Sequence, residues 1–251
     1  MYMVSDLPAH WVWEGLPYPN IDKAYQGFRK LLHIEPYAGL GLLISRDIVE
    51  ANDLKDIDDL FEKNVKFSMA AWPSGSSGMI FVDLILKSYG FENIEDFEAK
   101  GNTVLQGGPQ DQVKYVRDRQ ADAYFGMIVG HNFPMVEEMT SSVDMVLLPY
   151  SEEKLKEIMD EYGYRPFVVP TDAYKGVEQD TTILGVGGYI TVTEETSDEV
   201  AYQMTKVMYD NWAEIQKNDP FFSITPLRFD ETIIPWHPGA EKYLKEAGAI
   251  K

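Results

Sequence analysis

The chain has 251 residues, 41 acidic side chains against 22 basic ones, a net charge of −19 and no cysteine. At roughly 100–200 residues per domain this length holds one large domain or two modest ones, the field repels phosphate backbones and anionic membranes, and disulfides, thiolate ligands and thiol nucleophiles are excluded. Nucleic acid is therefore not an expected partner, and no stretch approaches the ~18 uninterrupted apolar residues of a membrane span.

In chain order, MYMVSDLPAHWVWEG lacks the basic, apolar and small-residue regions of a signal peptide. Gly39–Ser45 reads as a first strand, and Asp53–Phe61 as a helix with Leu54, Ile57, Leu60 and Phe61 at helical spacing. The run VKFSMAAW predicts a strand and GMIFVDLILKSYG a helix stopped at Gly90. Pro109–Gln120 predicts a helix leading into the strand ADAYFGMIV. FPMVEEM is helical, DMVLLPY a strand, Ser151–Tyr162 a helix with two glutamates near its positive end, and RPFVVP a short strand. Thr181–Val192 is an apolar strand whose glycines do not fit the dinucleotide fingerprint. Thr196 and Glu199 read as a capping box for a long helix burying Val200, Met204, Val207, Met208, Trp212 and Ile215. Strands alternating with helices give an α/β rhythm.

Between VKFSMAAW and its helix lies Pro73, Ser74, Gly75, Ser76, Ser77, Gly78. The first helical turn has amides without intrahelical partners, and a Gly/Ser loop lets an anion approach them. Serines before an apolar run are also ordinary N-caps, and both readings stand. The loop is one residue too short for a nucleophile elbow. His10, His33, His131 and His237 are scattered without zinc-site spacing, and Asp56, Asp58 and Asp59 lack the EF-hand glycine and read as a solvated helix face. No catalytic residues, metal or cofactor are expected, so the chain does not read as an enzyme.

Several separated motifs then agree in order. Val4, Ser5, Asp6 with Trp11, Trp13 and Gly15 is similar to a "QSD…A…G" segment; Pro73–Gly78 to a "GxxGSGT" turn; Ala121–Phe125 to an "iDAaF" strand, with "GxP" echoed at Gly130–Pro134. Tyr174, Lys175, Gly176 and Thr182 resemble "tYpG…Tv", and His237–Ala240 with Tyr243 and Gly248 resembles "HPGAxxYYxExG". On these motifs the chain resembles the TAXI-family solute receptors of tripartite ATP-independent periplasmic (TRAP) transporters. It departs in lacking the strand, glycine-rich loop and helix that precede "QSD", and Ser77 stands where threonine is usual. Trp11, Trp13 and Trp72 lie outside the pattern and read as core or as cleft lining.

The resemblance implies an α/β, type II periplasmic-binding-protein-like fold with two lobes around a ligand cleft. The expected lobes are residues 1–60 with 182–251, and 61–181, with a first crossing between Asp47 and Lys63 and a second around Thr182–Val192. It implies a periplasmic or other extracytoplasmic receptor that passes a small carboxylate, an amino acid or dicarboxylate, to TRAP permease subunits. Ser74, Gly75, Ser76 and Ser77 would hold the carboxylate, with Tyr124, His131 and Asn132 orienting it from a neighbouring strand end and loop. Asp6 and Asp122 read as braces, since they would repel an anion. A sensing domain or enzyme on the same scaffold, or a shortened receptor that has lost its ligand, are the alternatives.

Overall fold

The computed structural model describes residues 1–16, 23–219, 222, 225–229 and 232–251. In chain order it runs β1 (Tyr2–Ser5), α1 (Asp6–Glu14), β2 (Phe28–Ser45), α2 (Arg46–Ala51), α3 (Ile57–Glu62), β3 (Ser68–Ala71), α4 (Ser77–Ser88), α5 (Ile94–Ala99), β4 (Thr103–Gln106), α6 (Pro109–Arg117) and β5 (Ala123–Val129). There follow α7 (Pro134–Ser142), β6 (Met145–Leu148), α8 (Glu152–Tyr162), β7 (Arg165–Val169), β8 (Thr181–Thr193), α9 (Asp198–Asp210), α10 (Trp212–Asn218), β9 (Leu227–Arg228) and α11 (Pro238–Glu246). The class is α/β.

The chain divides into a terminal unit, 1–37 with 186–251, and a central unit, 38–185. The first division falls at Tyr37–Ala38 inside β2, upstream of the expected Asp47–Lys63. The reason is pairing: Ala38–Ile44 form an antiparallel ladder with β5, and Leu42–Ser45 another with β6. These bonds tie residues 38–45 to the central unit, and the chain stays in it through Gly185. The second division falls at Gly185–Val186 inside β8.

In the central unit β4, β3 and β5 are parallel, β2 runs antiparallel to β5, and β7 pairs with the first half of β8. Strands covered on both faces read as continuous apolar runs, and β5 is buried along almost its whole length. Gly39 and Gly41 let the Ile183 side chain lie against β2; a Cβ on Gly39 would stand 2.5 Å from Ile183 Cγ1. Phe97, wholly buried, meets Phe67 and Phe91 edge-on with ring centroids 5.6 and 5.1 Å apart.

In the terminal unit β1 pairs antiparallel with β8, from Tyr2↔Thr191 to Ser5↔Gly188, and β9 pairs with β2 at His33 and Ile34. The N-cap of α9 is Ser197, one residue beyond the expected Thr196; its hydroxyl accepts the Val200 amide at 3.4 Å. The buried stripe differs in part. Ala201 and Thr205 face inward with the expected Met204 and Met208 packed beside them, whereas Val200 and Val207 are 49% and 60% exposed, and the helix stops at Asp210, so the buried Trp212 belongs to α10. The cause is close packing of α11: a Cβ on Gly239 would overlap the Asp198 carbonyl, so only small side chains fit the junction. Thr205 is tolerated there because its hydroxyl donates to the Ala201 carbonyl at 2.8 Å.

His237 caps α11. Its Nδ1 accepts the Gly239 amide at 3.2 Å, which leaves Nε2 to donate to the Thr196 carbonyl at 2.8 Å. This histidine of the "HPGA" motif is therefore a structural cap joining α11 to the start of α9.

Candidate functional site

Because β3, β4 and β5 are parallel, their C-terminal ends share one edge of the central unit. Each is followed by a short loop and a helix start: Trp72–Ser76 into α4, Gly107–Gly108 into α6, and Gly130–Phe133 into α7. Open α/β sheets gather ligands at that edge, where loops vary and helix N-termini point outward.

The loop before α4 closes on itself. The Ser76 amide donates to the Pro73 carbonyl at 3.2 Å, and the Ser76 hydroxyl donates to the same oxygen at 2.7 Å while accepting the Met79 amide at 3.3 Å. Ser76 is thus the N-cap of α4, and its hydroxyl, expected to hold a ligand, is engaged within the chain. Ser74, Gly75 and Ser77 are exposed. Gly75 sits at φ +77° with open space around it, a backbone shape that favours glycine. Among the described residues the amides of Ser77 and Gly78 have no acceptor, which is the geometry of a first helical turn. The indole of Trp72 lies over Gly78, where a Cβ would overlap its ring.

Tyr124 is placed differently from the expectation. It is wholly buried in β5, its hydroxyl donates to the Met127 carbonyl at 3.1 Å, and burial pushes its pKa up. A side chain sealed inside a two-sided sheet does not orient a ligand, so Tyr124 is a core residue. His131 is half-buried and Asn132 is exposed at φ +56°, both in the loop after β5. The register Ala70↔Tyr124 puts Phe125 level with the end of β3, and β5 continues to Val129. At 3.3 Å per residue, the His131 loop stands about 13 Å further along than the α4 loop. The structure brings both segments to one edge but at different heights.

Two contributors were not expected from sequence. Tyr174, buried, donates its hydroxyl to the Val129 carbonyl at 2.8 Å and accepts the Phe133 amide at 3.3 Å, fixing the loop that carries His131 and Asn132; burial holds its hydroxyl pKa up. The other is the α6 start, signalled by Gly107, Gly108 and Pro109. There the Asp111 carboxylate accepts the Gly108 amide at 3.3 Å and Gln112 donates to the Gly107 carbonyl at 2.6 Å. At the opposite edge Asp122 accepts the Ser68 amide at 2.8 Å and the Ser68 hydroxyl at 2.6 Å, tying the starts of β3 and β5 together. Among the described residues no three metal-ligating side chains gather, and no helix is long and apolar enough to cross a membrane.

The sequence pattern of the NMT1-like family matches residues 20–248. This chain belongs to the NMT1-like family. Among solved structures, this NMT1-like chain is similar to one described as a periplasmic transporter, at 11% identity and TM-score 0.46 over 98% of this chain and 72% of that one. It is also similar to an R. palustris protein solved with adipate, at 13% identity and TM-score 0.47 over 98% and 72% of the two chains. A third is the periplasmic nitrate-binding protein NrtA from Synechocystis PCC 6803, at 11% identity and TM-score 0.40 over 95% and 63%.

Proposed function

We propose that this NMT1-like protein is an extracytoplasmic solute receptor of the TAXI type, which binds a small carboxylate, an amino acid or dicarboxylate, at the start of α4 and delivers it to TRAP permease subunits. The observation that carries this reading is the pair of Ser77 and Gly78 amides that, among the described residues, have no acceptor, behind an exposed Ser/Gly loop. The order of motifs along the chain supports the TAXI assignment. Micromolar affinity corresponds to about 8 kcal/mol. A helix terminus supplies at most ~2 kcal/mol, and each charge-assisted hydrogen bond ~1.5–3 kcal/mol. Two amides with the Ser74 and Ser77 hydroxyls reach the required range, and they act locally against the −19 field. Ser76 shapes the loop; His131 and Asn132 stand further along as groups that select the far end of a longer solute. Among the described residues no side-chain hydrogen bond on this edge joins a nucleophile to a base, which favours a receptor over an enzyme.

The test uses Ser77→Pro. Position 77 is the first residue of α4, where proline is tolerated, and Ser76 at ψ 155° already has the extended backbone that precedes proline. The substitution removes one amide and one hydroxyl donor while α4 remains folded. Native mass spectrometry of the purified protein and calorimetric titration with a panel of amino acids and short dicarboxylates identify a binder. For that binder, Ser77→Pro is expected to weaken affinity at least ~10-fold, the loss of one charge-assisted bond. Unchanged affinity removes the α4 start from the site, and failure of every carboxylate to bind overturns the receptor reading.

A further inference from the structure

We propose that the Asp6 carboxylate is a proton-operated latch on β8: ionised, it holds the Gly187 amide, and protonated, it lets that amide go. The inference concerns the terminal unit alone and stands apart from the solute-binding reading. Asp6 opens α1, where its carboxylate accepts the Leu7 amide at 2.9 Å and also the amide of Gly187. A Cβ on Gly187 would stand 2.6 Å from Asp6 Oδ2 and 2.8 Å from the Ile34 carbonyl. Only glycine lets α1, β8 and β2 meet there, and the contact lies two residues after Gly185, where β8 leaves the central unit. This stretch of β8 is buried and pairs with β1 at Gly188, and its glycines, Gly185, Gly187 and Gly188, let the carboxylate approach the backbone closely.

The groups around Asp6 set its response. Arg228 on β9 draws the ionised form, Tyr37 on β2 is bonded to Ser5 and stays neutral beside it, and Glu35 on β2 engages Arg228 at 3.8 Å. Burial outweighs the amides and Arg228, and the carboxyl pKa is pushed up to about 6. About nine-tenths of the carboxyl is then ionised at pH 7 and about one-tenth at pH 5. A carboxylate accepts an amide hydrogen roughly twice as strongly as a neutral acid, so the hold on Gly187 weakens across that interval.

The experiment is an NMR titration of the intact chain with 13C-carboxyl aspartate and 15N-glycine. The expected result is an Asp6 carboxyl midpoint near 6 and a Gly187 amide shift that moves with the same midpoint. In Asp6→Asn the Gly187 amide should stay flat between pH 5 and 7. An Asp6 midpoint near the ordinary value of about 4, or a Gly187 amide indifferent to Asp6 ionisation, overturns the proposal. Should the variant not fold, the titration of the unaltered chain decides alone.

Discussion

Replacing Asp6 by asparagine removes a charge while keeping the shape of the side chain and an oxygen able to accept the Leu7 amide. The carboxyl pKa rises from 3.8 to about 6 on folding. At 1.36 kcal/mol per unit this corresponds to about 3 kcal/mol, reduced toward ~2 kcal/mol by the partial exposure of the side chain. The sign follows from proton binding. The folded state holds the Asp6 proton more tightly, so the stabilisation is fully present below about pH 3.8 and is lost as pH rises through about 6. Asp59, Asp96, Asp180 and Asp210, held below the usual carboxylate range, act in the opposite sense and are common to both proteins. The difference between the original chain and Asp6→Asn therefore isolates one group. Urea unfolding followed by circular dichroism from pH 4 to 7.5 should show the original chain losing ~2–3 kcal/mol relative to the variant across that range. Parallel stability curves, within ~0.5 kcal/mol at every pH, would refute the account of Asp6.

The α9 cap is tested by a pair: Ser197→Ala should cost about 1 kcal/mol of stability in urea titrations, whereas Thr196→Ala should cost less than ~0.5 kcal/mol. Gly239→Ala places a methyl on the Asp198 carbonyl, and the melting temperature should drop with a loss of ~1–3 kcal/mol; a neutral result would mean α9 and α11 are not in close contact. Tyr174→Phe removes both bonds of the loop brace, and a loss of ~1–3 kcal/mol with faster amide exchange at Phe133 is expected. Phe97→Ala empties the centre of the aromatic cluster and should cost ~3–5 kcal/mol by calorimetry.

Most elements of the central unit were legible because buried strands there are short apolar runs separated by capped helices, as with Ser151 before α8 and Gly90 after α4. The first half of β2 was not, since Lys30, His33, Glu35 and Pro36 break the apolar pattern. Those polar side chains are accommodated by tertiary partners: Lys30 donates to Thr232 at 2.7 Å and lies 4.0 Å over the Trp236 ring. The inward face of α9 was legible in part. Met204 and Met208 pack against the core as their spacing indicates, but the approach of α11 puts Ala201 and Thr205 at the junction and leaves Val200 and Val207 outside it. At the candidate site the Gly/Ser loop and its helix were readable as an anion-binding outline. The engagement of Ser76 and the burial of Tyr124 were not, because each depends on where one hydroxyl points. The partnership of Asp6 with Gly187 joins opposite ends of the chain, and no local spacing reports it.

The indole of Trp72, laid across the first turn of α4 with its Nε1 buried and, among the described residues, lacking an acceptor, has an optical consequence. Charge arriving at the Ser77 and Gly78 amides changes the field felt by that ring, so its ultraviolet emission should shift in wavelength or intensity. The chain has five tryptophans, and a version retaining only Trp72 would isolate this signal and turn the start of α4 into a label-free reporter of its own occupancy.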